Sequence, residues 1–188
     1  MLALAICAVA SSCATTTEQR PVPAPVARFS GPAYVPENRR ITEPFAHVVF
    51  CTSRPAECGQ SPSPVAVTLT EDRRDELDEV NQSVNRRIVP RDDPAADTWT
   101  LAPRSGDCED YVVTKRHELL ARGWPASALR VAIGTIGSGE GHVVLVVRTT
   151  EGDLVLDNLS DDVVPWRQVD MAWLSIQSSI NPRIWHAT

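Results

Sequence analysis

Residues 106–125 read GDCEDYVVTKRHELLARGWP, and both ends of a helix are written into them. Asp107 is a good N-cap residue, and Asp110 stands three positions later in a capping-box-like pair. Val112, Val113, Arg116, Leu119 and Leu120 make an inward stripe at helical spacing. Gly123 suits the left-handed position that follows a helix, and Pro125 bars continuation. The spacing predicts a helix from Asp107 to about Arg122, with Cys108 in its first turn. Unpaired N–H groups and the positive end of the helix dipole favour a thiolate there. The same N–H groups suit an oxyanion on an attacked carbonyl. Asp107, Glu109 and Asp110 oppose the thiolate unless something neutralises them.

Downstream lie three strand candidates, Leu129 to Gly134, His142 to Arg148 and Leu154 to Asp157. Gly137 to Gly141 is a flexible connection, and Thr149 to Asp153 is a hairpin turn. A helix followed by an antiparallel meander is an α+β arrangement. A thiol nucleophile needs a base, and the base an orienting group. Of the four histidines, His47 lies in an irregular region, His186 in the tail, and His117 about 13 Å along the helix of Cys108. His142 opens a strand after a glycine-rich stretch, where a side chain can stand at the mouth of a cleft. Asp157 follows on the next strand. With an even-numbered turn, cross-strand partners sum to an odd number and share a face. His142 and Asp157 sum to 299 and so share one. They are direct partners only if the apex lies between Thr149 and Thr150. Gly152 points to a later apex, which offsets them along the sheet.

Upstream, Leu77, Val80, Val84 and Ile88 recur at spacings of three and four, predicting a helix from near Thr70 that Pro90 stops. Asn81 and Asn85 lie one turn apart beside this stripe and read as structural, bonded to neighbouring backbone. Asp92 to Ser105 is a loop containing Trp99. Nine of the fifteen prolines fall between Pro21 and Pro64. Residues 15–44 therefore read as a Pro-rich tether and irregular N-terminal segment, ahead of a domain over 45–188. Ala46 to Cys51 is the one strand-like run before Val67. The tail from Trp166 stays ambiguous between helix and strand.

The chain has 188 residues, 43% hydrophobic and 22% charged, with a formal net charge of -6. That is room for one ordinary domain, and it argues against nucleic acid as a main partner. Met1 to Ala14, MLALAICAVASSCA, is an apolar core followed by small residues, which is the shape of an export signal. Two exits fit: ordinary cleavage near Ser12-Cys13-Ala14, or lipidation of Cys13, the one route to a membrane tether. In an exported protein, Cys51 and Cys58 are expected to pair across their seven-residue spacing, leaving Cys108 as the odd thiol.

Gly106-Asp107-Cys108-Glu109-Asp110-Tyr111, Lys115, Leu119-Leu120-x-x-Gly123-Trp124, Gly141-His142 and Val155-Leu156-Asp157-Asn158 resemble the bacterial transglutaminase-like cysteine proteinases. Val80-Asn81-x-x-Val84-Asn85-x-x-Ile88 and Trp99 extend the match. The resemblance implies a papain/transglutaminase-like fold, with the nucleophile helix packed on an antiparallel sheet. It implies a triad of Cys108 as nucleophile, His142 as general base then acid, and Asp157 as orienter, working through a thioester. Trp99 would line the cleft near the oxyanion site. Similar periplasmic members release surface adhesins and require calcium, held by residues that map to Asp107, Glu109 and Asp110. No organic cofactor is implied. Two alternatives use the same fold: a transglutaminase or amidase with the same triad, and a non-catalytic calcium-responsive binding module.

Overall fold

In the computed structural model, residues 33–92, 98–137 and 139–188 are described. Their helices are α1 (Phe45–Ser53), α2 (Glu71–Arg87) and α3 (Cys108–Ala121). The strands are β1 (Arg40–Ile41), β2 (Val89–Pro90), β3 (Ser105–Gly106), β4 (Leu129–Thr135), β5 (Gly141–Thr149), β6 (Gly152–Leu156), β7 (Val164–Pro165), β8 (Ala172–Gln177) and β9 (Trp185–Ala187). The proposed export signal and the tether up to residue 32 lie outside the described residues.

Local chemistry explains the two long helices. The Thr70 side chain accepts the Arg73 N–H at the start of α2; Glu71 and Asp72 occupy its first turn, and Arg86 and Arg87 its last. Each charge suits the dipole at its end. Leu77, Val80 and Val84 are fully buried on one face. At the end of α3, Gly123 has φ of +81°, the left-handed conformation that releases the chain toward Trp124.

Seven strands form one antiparallel sheet in the order β1-β9-β8-β4-β5-β6-β7. The β5–β6 hairpin turns through Thr150 and Glu151, with Thr149 opposite Gly152. On one face, Val131, Val143, Leu145, Val147, Leu154 and Leu156 pack with α2 and α3. On the other, Ala132, Val144, Val146, Val155 and Ile176 meet Val35 and Met171. Each fully buried aliphatic side chain contributes ~1.5–3 kcal/mol, so a sheet buried on both faces dominates the stability. The short parallel pair β2–β3 ties the exit of α2 to the entry of α3, setting Val89 beside Ser105 and Pro90 beside Gly106.

Two sequence expectations are corrected. Ala46 to Cys51 belongs to helix α1, not to a strand. Ala46, His47, Phe50 and Cys51 are its buried positions, a helical spacing. An apolar run this short fits either period, and packing decides it. The packed structure also extends upstream of residue 45. β1 pairs with β9, and Val35 is 1% exposed in the second core. Asp153, fully buried, accepts bonds from Arg130, Arg148 and the Val35 N–H at 2.9–3.0 Å, and Glu37 also meets Arg130. This charge cluster pins the upstream segment across the sheet. The ambiguous tail supplies β7, β8 and β9, and β8 sits inside the sheet between β9 and β4.

Candidate active site

Helix α3 begins at Cys108 with Asp107 in the N-cap position, yet the Asp107 side chain makes no cap bond. Asp110 turns instead to the preceding loop, where its Oδ1 accepts the Thr100 N–H at 2.6 Å. Its other oxygen lies where a Cβ on Gly106 would stand, 1.9 Å away, so only glycine fits there. The Cys108 thiol donates to Glu109 Oε2 at 3.1 Å and accepts the Val143 N–H from the start of β5. Burial pushes the thiol well above the ordinary cysteine range. The charge and hydrogen bond of Glu109 reinforce that push, and the Val143 N–H opposes it. Glu109 and Asp110 are themselves 8% and 5% exposed, which is rare for carboxylates.

His142 and Asp157 come together at the other side of the sulfur's neighbour Val143. The hairpin register pairs Leu145 with Leu156, so positions opposite one another sum to 301. Asp157 is therefore two residues short of a direct partner for His142, on the same face. The His142 Nε2–H donates diagonally to Asp157 Oδ1 at 2.8 Å. Diagonal neighbours on one face lie within reach of an imidazole, and β5 and β6 need no bulge to bring them together. Asp157 Oδ1 also accepts the Leu159 N–H at 3.0 Å. Burial works against its charge, but His142, the Leu159 N–H and the Lys115 ammonium outweigh it and hold the carboxyl below its usual range. With Nε2 on Asp157, Nδ1 is the nitrogen left for the thiol. Among the described residues, Sγ and the imidazole share no hydrogen bond; the structure brings Cys108 to the backbone beside His142.

The turn that carries Asp157 is anchored by α2. Asn85 donates to Asp157 O and Ser160 O, both at 3.0 Å, and Asn81 donates to Ser160 O at 2.9 Å. These asparagines bond backbone, as their position beside an apolar stripe predicts. What the sequence did not disclose is whose backbone: the turn of the candidate triad's carboxylate. The i, i+4 spacing of two asparagines was the available signal. The Val143 N–H carries no such signal.

Trp99 is 7% exposed and packs edge-on to His47 at 5.1 Å between ring centroids and near Phe50. His47 is a satisfied core histidine, bonded through Nδ1 to Glu43 at 2.6 Å and through Nε2 to the Gln177 amide at 2.8 Å. His117 bonds Glu57, and His186 bonds Asn38 O. Cys51 and Cys58 form a disulfide. Among the described residues, the one set of three His, Cys or carboxylate ligand atoms lying within 4.8 Å of one another is His47, Cys51 and Cys58, two of which the disulfide consumes. Asp107, Glu109 and Asp110 do not form such a set here. Their oxygens are nevertheless the hard donors calcium takes, and the buried Glu109 carboxylate accepts a hydrogen bond from the Cys108 thiol.

The family model for bacterial transglutaminase-like cysteine proteinase matches residues 37–188. Among solved structures, calcium-bound Legionella pneumophila LapG matches with 25% identity over 60% of this chain and 67% of that chain, at a TM-score of 0.53. EGTA-treated LapG matches with 25% identity over 60% and 66%, at 0.52. A further LapG structure, at 24% identity and a TM-score of 0.50, shares the fold. This chain thus spans about two thirds of the length of LapG. A search of curated proteins found no match. No helix among the described residues is long and apolar enough to cross a membrane.

Proposed function

Because this chain belongs to the bacterial transglutaminase-like cysteine proteinases, we propose that it hydrolyses a peptide bond in an exported protein through a thioester on Cys108. The observation that carries this reading is the His142–Asp157 hydrogen bond of 2.8 Å, one residue from the N–H that holds the Cys108 sulfur. In this reading His142 Nδ1 takes the thiol proton and Sγ attacks the scissile carbonyl carbon. N–H groups at the start of α3 bind the developing oxyanion. The imidazolium then protonates the departing amine, and water, deprotonated by the same ring, cleaves the thioester. Asp157 keeps the ring in the tautomer and orientation that aim Nδ1 at sulfur.

Asp107, Glu109 and Asp110 are the residues that would hold calcium. A bound calcium ion would offset the carboxylate charge that opposes the thiolate. The calcium-bound form of LapG supports calcium as the ion, while the residues are assigned from their donor chemistry. In this reading Met1 to Ala14 is an export signal, the protein is periplasmic or otherwise exported, and lipidation of Cys13 in place of ordinary cleavage would be its one route to a membrane anchor. The substrate class is then a surface or periplasmic protein such as an adhesin.

Cys108→Ala and His142→Ala are each expected to abolish cleavage of a protein substrate while leaving the circular dichroism spectrum unchanged. Retained cleavage in either folded variant contradicts the proposal. A primary amine added to the assay distinguishes hydrolysis from transfer, since an amine-linked product reassigns the chain to transamidation.

A further inference from the structure

Lys115 lies seven residues after Cys108 on α3, two turns and about 10 Å along the same helix face. It is 0% exposed, and its ammonium has no hydrogen-bond partner among the described residues. The Tyr111 ring centroid lies 5.9 Å from Nζ. Its helix packs on α2, which in turn holds the turn 157–161. The charged groups acting on Lys115 there are Asp157 and Asp161. α2 contributes the neutral Asn81 and Asn85 to that turn, and the Oδ1 atoms of Asn81, Asn85 and Asn158 are buried without hydrogen-bond partners.

A buried ammonium without a hydrogen bond is unfavourable, and a methionine of similar length would fill the same space without that penalty. Packing therefore does not account for lysine. What lysine adds is a positive charge that acts on Asp157, the carboxylate that holds His142. We propose that Lys115 is a positioning residue whose ammonium sets the charge balance of the Asp157–His142 pair. The proposal rests on the triad reading for its catalytic meaning, though not for its electrostatics. Burial pulls Lys115 down to about 7, with Asp157 and Asp161 pulling the other way.

The test is K115M in a Cys108→Ala background, with the His142 ring titrated by NMR. Removing the positive charge leaves Asp157 free to stabilise the imidazolium. The midpoint of the His142 titration is then expected to rise by about half a pH unit or more, with a melting temperature equal to or above that of the parent. An unchanged midpoint in folded K115M overturns the proposal, and so does a fall in melting temperature with no change in midpoint, the mark of packing alone. The reciprocal measurement does not depend on K115M folding: in Asp157→Asn the Lys115 side-chain titration should move to lower pH, and an unmoved Lys115 also overturns the proposal. Because both readouts are made without the thiol, failure of Cys108 as nucleophile leaves them interpretable.

Discussion

Asp157 stands two positions away from the residue that the hairpin register would set opposite His142, and its Oδ1 still meets His142 Nε2 at 2.8 Å. The hydrogen bond is thus made along a diagonal of the sheet. It depends on Asp157 lying just beyond the last paired residue of β6, where Asn85 holds its carbonyl.

Replacing Asp157 by Asn keeps the shape and removes the charge that orients and stabilises the imidazolium. Cleavage by Asp157→Asn should fall about 10²- to 10⁴-fold in kcat, with KM much less affected. Steady-state kinetics on a protein substrate, with circular dichroism as the folding control, check this. An unchanged kcat would remove Asp157 from the site.

Glu109 takes the thiol proton's hydrogen bond and adds negative charge beside a sulfur already raised by burial. A raised thiol stays protonated across neutral pH, so removing the charge increases the thiolate fraction at a given pH. Without calcium, Glu109→Gln should be alkylated at Cys108 about tenfold faster than the parent at pH 7.5, a shift of about one pKa unit. Equal alkylation rates would mean that Glu109 does not govern the thiol.

Asp153 is fully buried beneath two guanidinium groups that are themselves almost wholly enclosed. Asp153→Ala removes the carboxylate that Arg130 and Arg148 share, while Glu37 still meets both. The expected loss is about 3–5 kcal/mol in stability, read from denaturant titration. A loss under 1 kcal/mol would show that water reaches the cluster.

Gly106→Ala places a methyl group 1.9 Å from Asp110 Oδ2. The carboxylate must then leave the Thr100 N–H or the helix must move. A destabilisation of about 2 kcal/mol or more is expected, together with altered alkylation of Cys108. A neutral result would mean that the entry to α3 is looser than this packing implies.

Much of the helix-on-sheet half of the fold was legible because its signals are local. The 106–125 stretch carries its own start and stop, and the observed α3 differs from the predicted helix by one residue at each end. The shared face of His142 and Asp157 followed from parity alone. Their contact did not, since it depends on a turn position and on a diagonal reach that spacing leaves open. Helix α1 is not legible because five apolar residues and a histidine fit either period, and what decides it is a pocket built by Trp99 and Trp185 around His47. Strand β8 is ambiguous in the sequence because it is inserted between β9 and β4, and β4 lies far upstream. The same non-locality hid Lys115, whose significance lies in a carboxylate forty-two residues away.

The most direct test of the central claim is the alkylation rate of Cys108 as a function of pH, measured with calcium in the parent and in His142→Ala. A thiolate stabilised by His142 predicts an inflection in the parent below the ordinary cysteine value of about 8.5, lost in His142→Ala. A parent thiol that reacts no faster than a model thiol across the range, and that is indifferent to His142, would contradict the account.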